Sequence, residues 1–288
     1  MQFQKAQRKR AKLRLALSGP SGSGKTYSAL LIAKGFGGRI AVIDTESGSA
    51  SLYADLVEFD TLELAPPFTP ERFCDALKAA ADAGYDVCVI DSITHEWDGA
   101  GGCLEINEQI AHAKFKGNTY AAWSETTPRH RAFLDAILQA PMHVIATMRS
   151  KTETVQGNDK KVKKLGMKPI QREGAEYEFT VVLDLEHERH YAIASKDRTR
   201  LFAEPHVITE ATGSRLAGWL ESGAVPALGE SEAADHLAAM DAASDMDSLK
   251  HAFSTAYQAA KQAGDTARIA DFEARKNARK AQLLGAAA

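Results

Sequence analysis

Residues 13–27 read LRLALSGPSGSGKTY, and this stretch decides the fold. A strand-like apolar run feeds directly into Gly19-Pro20-Ser21-Gly22-Ser23-Gly24-Lys25-Thr26, which fits G-x-x-x-x-G-K-[ST] at every fixed position. A helical pattern follows over residues 27–36. Strand, tight loop and helix in that order make a phosphate cradle. The glycines let successive backbone N–H groups point at one anion, and the helix N-terminus adds its positive dipole end. In such a loop the lysine, Lys25, reaches the β- and γ-phosphates and the Thr26 hydroxyl ligates Mg²⁺. The expected ligand is therefore a nucleoside triphosphate with Mg²⁺.

Working outward, the chain after Gly37-Gly38 offers a short apolar strand over residues 39–43 that closes on Asp44-Thr45-Glu46. Carboxylates at the C-terminal end of a strand in an open α/β sheet lie where ligands bind, so Asp44 and Glu46 are site candidates. Residues 51–55 start a helix carrying Tyr53, residues 61–64 form a strand, and Thr69-Pro70 opens a helix that runs to Ala83. Residues 85–92, YDVCVIDS, form a buried strand ending in Asp91, the form of a strand that holds Mg²⁺ through an aspartate. Ser92, not a glutamate, follows it. The residue that orients the attacking water must come from elsewhere, with Glu46 and Glu96 in contention. Helical patterns over residues 103–115 and 124–138 and a strand over residues 142–148 then deliver Arg149 to the same edge.

Residues 150–168, SKTETVQGNDKKVKKLGMK, carry Lys151, Lys160, Lys161, Lys163, Lys164 and Lys168 and offer almost nothing to a core. The expectation is a mobile basic loop that tracks a polyanion, and the rival is an ordinary solvated charge run. Residues 177–185 and 187–195 alternate well enough for a β-hairpin, followed by Lys196 and Arg198. The chain divides into a basic N-terminal arm (1–14), an α/β core (15–222), a linker (223–229) and an Ala-rich C-terminal helical module (230–288). In that module acidic residues come first, and Arg275, Lys276, Arg279 and Lys280 cluster at the end.

Composition bounds the remaining classes. With 44% hydrophobic and 25% charged residues in 288, and no apolar run near the roughly 18 that a span needs, the chain is expected to be soluble and outside the membrane. The basic start lacks the apolar core of a secretory signal. Cys74, Cys88 and Cys103 lack C-x-x-C spacing and read as buried thiols in a reducing cytoplasm. A net charge of −3 excludes a globally basic nucleic-acid coat and leaves local patches such as the lysine run.

Taken together, these features resemble the RecA-type recombinase core over roughly residues 13–202. Ile43-Asp44-Thr45-Glu46 is similar to the family motif whose glutamate orients the attacking water, and Tyr53 stands where a tyrosine packs on adenine. The resemblance thus favours Glu46 as general base and implies a RecA-like P-loop NTPase core, α/β with a mostly parallel central sheet, plus a small all-helical C-terminal segment. It also implies that residues 150–168 take the place of the second DNA-binding loop, with Arg149 beside it. Lys196 and Arg198 match lysines that reach a neighbour's ATP across a subunit interface. Thr147 stands where RecA has a glutamine that relays nucleotide state to DNA, which puts that relay in question. Phe3-Gln4-Lys5-Ala6 looks like the F-x-x-A peptide by which recombinases dock on the next subunit, so Phe3 and Ala6 are oligomerisation candidates.

Similarity is closest to compact phage-encoded RecA-core ATPases of the single-strand annealing type, which share GPSGSGKTYSAL and T-M-R-S-K. The expected protein is an ATP- and Mg²⁺-dependent, DNA-stimulated ATPase of slow turnover. It would bind single-stranded DNA, self-assemble as filament or ring, act in the host-cell cytoplasm, and contact a single-strand DNA-binding protein through its C-terminal helices. Two alternatives remain open: an ATP-switched interaction or loader protein with little hydrolysis, and a small-molecule P-loop kinase.

Overall fold

The computed structural model describes residues 8, 10–156, 162–223, 229–263 and 265–285. Phe3, Ala6, Lys160 and Lys161 lie outside the described residues. Two compact units are present, one of residues 12–220 and one of residues 1–11 with 221–288.

In the larger unit, β1 (Arg14–Gly19) leads into α1 (Lys25–Phe36), β2 (Ile40–Asp44), a 3₁₀ turn (Ser49–Tyr53), β3 (Asp60–Glu63), α2 (Pro70–Asp82) and β4 (Val87–Asp91). Next come α3 (Thr94–Asp98), α4 (Cys103–Lys114), α5 (Thr119–Gln139), β5 (His143–Gln156) and β6 (Val162–Pro169). β7 (Val181–Leu185), β8 (Tyr191–Asp197), β9 (His206–Val207) and α6 (Glu210–Glu221) close the unit. Strand order is β3-β2-β4-β5-β1-β7-β8-β9, and β6 pairs with β5 off that path. From β3 to β7 the pairs are parallel; β7–β8 and β8–β9 are antiparallel.

The strands are apolar on both sides because helices cover both faces. On one face Leu15, Leu17, Val42, Val89 and Ile145 pack with Leu30 and Ile32 of α1 and Leu216 of α6. Their sequence neighbours Ala16, Ile43, Cys88, Ile90 and Ala146 point the other way, onto Phe73 and Leu77 of α2 and Phe133 and Ile137 of α5. Because β1, β2, β4 and β5 run parallel, their C-terminal ends lie along one edge.

Three expectations need correction. Among the described residues, 150–156 and 162–168 are strand and not structureless loop. β5 runs on past the sheet through Gln156, and β6 returns antiparallel with Ser150 opposite Pro169, Lys151 opposite Lys168 and a register shift at Glu153/Thr154. Pairing between the two strands satisfies their facing backbone groups without any apolar core.

The helix expected from Ser124 starts at Thr119, where the Asn118 side chain accepts from Ala121 N at 3.1 Å, and Pro128 lies inside it. Arg14, counted with the basic arm, is buried: its guanidinium donates to the carbonyls of Met142 (2.8 Å), Leu138 (2.9 Å) and Ala140 (2.5 Å). Burial lowers its pKa to about 10, and those carbonyls at the end of α5 replace its water shell.

The smaller unit contains α7 (Glu230–Ala242), α8 (Met246–Gln262) and α9 (Thr266–Gly285) around Met240, Leu249, Ala256 and Phe272. Asp245 caps α8 in a reciprocal capping box with Ser248. Part of the basic end is used within the unit: Arg275 pairs with Asp241 at 2.6 Å, and Arg279 donates to Ala243 O at 2.8 Å.

Candidate nucleotide site

The loop from Gly19 to α1 has the backbone that its glycines permit. Gly22 and Gly24 have φ of 77° and 84°, and α1 begins at Lys25 with Gly24 as its cap. The first N–H groups of α1 have no intrahelical partner by construction and face the loop's concavity. The Ser23 hydroxyl is buried with no hydrogen-bond partner, and Ser21 is exposed on the outer turn. At Gly22 a Cβ would come within 2.9 Å of His187 Cε1, and His190 Nδ1 lies 3.2 Å from Ser23 O, so the turn between β7 and β8 lies against the loop. Lys25 folds onto Pro20 O at 2.8 Å; burial lowers its pKa, opposed by the charges of Asp91 and Glu46.

Asp91, at the end of β4, is 1% exposed. It accepts from Thr26 Oγ1 at 2.5 Å on one oxygen and from Thr147 Oγ1 on the other. Burial raises its pKa, and the two threonine hydroxyls oppose that shift. A buried carboxylate beside Thr26, next to the orphaned hydroxyl of Ser92, is an oxygen-donor set that fits Mg²⁺. Thr26 and Asp91 would hold the ion, which when bound neutralises charge on the β- and γ-phosphate oxygens.

The two contending glutamates separate clearly. Glu96 is fully buried between His130 Nδ1 (3.0 Å) and Cys103 Sγ (3.0 Å), out of reach of any attacking water. Glu46 stands at the sheet edge, held there by Asp44, whose carboxylate accepts from Glu46 N at 2.6 Å and Ala50 N at 2.9 Å. Asp44 is thus a positioning residue. Glu46 Oε1 is gripped by Arg149 through Nε (3.0 Å) and Nη2 (2.9 Å), so Arg149 turns toward the nucleotide side. Tyr53 lies half-buried against Tyr27 of α1, ring centroids 5.8 Å apart.

The remaining expected residues stand elsewhere. Lys151 is exposed at the root of the ribbon, Lys168 lies 4.0 Å from Glu173, and Lys163 and Lys164 are on β6. Lys196 donates to Glu176 O at 3.3 Å and to Tyr177 O, and Arg198 is exposed. Because Val181 pairs with Asp197 on one side and Leu15 on the other, this end of β8 lies at the opposite edge of the sheet from Gly19, about 13 Å along the strand direction. The structure does not bring Lys196 and Arg198 to their own phosphate loop.

Sequence reading missed Thr147 as a partner of Asp91 and Ser92 as a free buried hydroxyl. It also missed His95, whose Nδ1 lies 2.7 Å from the Thr45 hydroxyl that in turn donates to Asp91 O at 3.0 Å. No local signal could have found the Thr147 contact, since it depends on β4 and β5 lying side by side. Chemically, the arrangement offers a loop suited to phosphate, a buried carboxylate that would suit Mg²⁺ and a second carboxylate, held by Arg149, at the sheet edge.

A family model described as an AAA domain matches residues 11–214, a span that takes in every strand from β1 to β9. No curated protein matches the chain. Sequence family and strand-edge geometry therefore agree, and the chain belongs to the AAA-domain family of P-loop nucleotide-binding ATPases.

Proposed function

We propose that this protein is an ATP-dependent single-stranded DNA-binding protein of the RecA-core annealing type, which assembles on DNA with ATP between subunits and promotes annealing or strand exchange in phage recombination. The observation that carries this reading is the double duty of β5. It holds Thr147 against Asp91 and Arg149 against Glu46, then continues into the ribbon bearing Lys151, Lys163, Lys164 and Lys168. Nucleotide and polyanion would thus act on one strand. Lys151 lies directly across the ribbon from Lys168, so the root of the ribbon carries two lysines at paired positions that one phosphate backbone would meet together.

The position of Lys196 and Arg198, remote from their own loop, suits a role in completing a neighbour's site, where they would stabilise charge on the transferred phosphoryl group. A groove in the smaller unit with Phe253 and Tyr257 and a rim of Lys250, Lys276 and Lys280 suits the acidic tail of a single-strand DNA-binding protein. The setting would be the host-cell cytoplasm; no helix among the described residues is long and apolar enough to cross a membrane. The Arg149 grip on Glu46 favours a second reading, an ATP-switched loader with little hydrolysis, because the guanidinium occupies Glu46 Oε1 through two contacts.

Annealing of complementary strands coated with single-strand binding protein tests the proposal, with and without ATP, for the wild type and Lys25→Ala. The expected result is ATP-dependent acceleration that Lys25→Ala loses. Equal annealing by the two proteins removes ATP from the function, and no acceleration by the wild type overturns the annealing reading. Measurable hydrolysis separates the ATPase from the switch.

A further inference from the structure

Beside the ribbon lies a group of aromatic side chains that nucleotide chemistry does not use. Trp97 of α3 and Trp123 of α5 stack with ring centroids 5.4 Å apart and planes 16° apart, both partly exposed. The guanidinium carbon of Arg172 lies 5.5 Å from the centre of the Trp123 ring. Together with Tyr120, which is 88% exposed, they line an open cleft of about 560 Å³. Trp97 also meets buried His130 edge-on at 5.4 Å, and Glu96 holds that imidazole from behind. The stack is therefore rigid before any ligand arrives, which lowers the ordering cost of binding.

Its position ties it to both ends of the site. Arg172 follows β6 by three residues and bonds through its backbone N to Gln171 Oε1 at 2.7 Å. Gln171 Nε2 donates to Ile93 O at 2.9 Å, and Ile93 N donates to Thr147 O at 3.0 Å. The cleft is thus fastened between the root of the ribbon and the segment that follows Asp91. Two acidic side chains of the surrounding helices are ion-paired, Glu125 with Lys114 at 2.6 Å and Glu71 with Arg129 at 2.6 Å, while Asp98, next to Trp97, is exposed. The lining of the cleft itself is flat aromatic faces with the Arg172 cation at the border. An unpaired nucleobase is recognised by such a surface, and a base locked in a duplex cannot reach it.

We infer that this cleft is the stacking site for unpaired bases of the strand whose phosphates the ribbon contacts, with Tyr120 and Trp123 as its principal faces. The inference rests on the single-stranded DNA reading above and adds a component of binding that does not depend on charge. Stacking releases no counterions, whereas each lost phosphate contact lowers the slope of log K against log salt by roughly 0.7 on a single strand. The two components are therefore separable.

The test is the affinity of fluorescent oligothymidine across a salt series for the full-length wild type, Tyr120→Ala, Trp123→Ala, Trp123→Phe and the double variant Lys151→Ala/Lys168→Ala. Tyr120→Ala and Trp123→Ala should each weaken binding by roughly 10-fold at every salt concentration with the slope unchanged. Trp123→Phe should recover most of that loss, and the lysine variant should lower the slope. Tyr120, being exposed, serves as the control against misfolding of the tryptophan variant. Affinities within twofold of wild type in both alanine variants overturn the stacking site and leave the ribbon reading standing. No oligothymidine binding by the wild type overturns both. Unchanged DNA affinity with lost self-association in sedimentation overturns the inference in favour of a protein interface.

Discussion

At the residue scale, the site is a contest between two carboxylates with different surroundings. Glu46 is partly exposed, with Oε1 held by Arg149; Glu46→Gln should retain ATP binding and lose about 100-fold or more in turnover. Arg149→Ala should raise the DNA-independent turnover by releasing that base, and a phosphate-release assay on the two variants checks both. A fall with Arg149→Ala would instead make the guanidinium a stabiliser of transferred charge.

Asp91 is buried, and burial raises its pKa. The native protein then keeps this proton to higher pH than the unfolded chain does. Stability is lost as pH rises through the ordinary carboxylate range up to the raised native value, and is level above it. At neutral pH and without Mg²⁺, Asp91→Asn should therefore raise Tm, while abolishing the further rise that Mg²⁺ with ATP gives the wild type. Asp91 was legible because an acid ending a buried strand is a local pattern. Its bond to Thr147 was not, because residues 91 and 147 meet only once β4 and β5 are neighbours.

At the scale of elements, β5 holds most of what sequence reading underestimated. A lysine-rich run with two glycines looked unable to fold because it has no apolar face; a two-stranded ribbon needs none, since its partner strand supplies the hydrogen bonds. The base of β5 is equally specific. His143 Nδ1 accepts from Leu13 N at 3.0 Å, and its ring lies 4.4 Å from that of Phe36. Burial, with the charges of Lys12 and Arg14, lowers its pKa to about 4. The unfolded chain binds this proton more readily, so stability should be lost as pH falls from about 6.5 toward 4. Comparing Tm of wild type and His143→Gln by calorimetry at points across that window should show a flatter dependence in the variant.

At the scale of the whole molecule, the cores are separate. The two clusters flanking the sheet draw on residues 13–220, and the helical cluster draws on residues 233–283. A chain ending at residue 220 should keep the main thermal transition within a few degrees of the full protein, because neither cluster flanking the sheet draws on a residue beyond 220. Circular dichroism melting of both chains checks this, and a collapse of the transition would show that the helical unit stabilises the ATPase core. Charge along the chain suggested a basic C-terminal end free for a partner; Arg275 and Arg279 are spent on Asp241 and Ala243, which leaves Lys276 and Lys280 on the groove.

By itself the sequence determined the phosphate loop, the strand-end acids Asp44, Glu46 and Asp91, and the alternation of strands with helices. Each follows from local backbone geometry and side-chain period, which neighbouring residues specify without distant help. Only the tertiary structure decided that Arg149 grips Glu46, that Thr147 reaches Asp91, that Lys196 and Arg198 face away from their own loop, and that Trp97, Trp123 and Arg172 share one cleft. The physical reason is strand order. Placing β5 between β1 and β4 sets which distant residues become neighbours, and that order is settled by packing both sheet faces at once rather than by any single stretch.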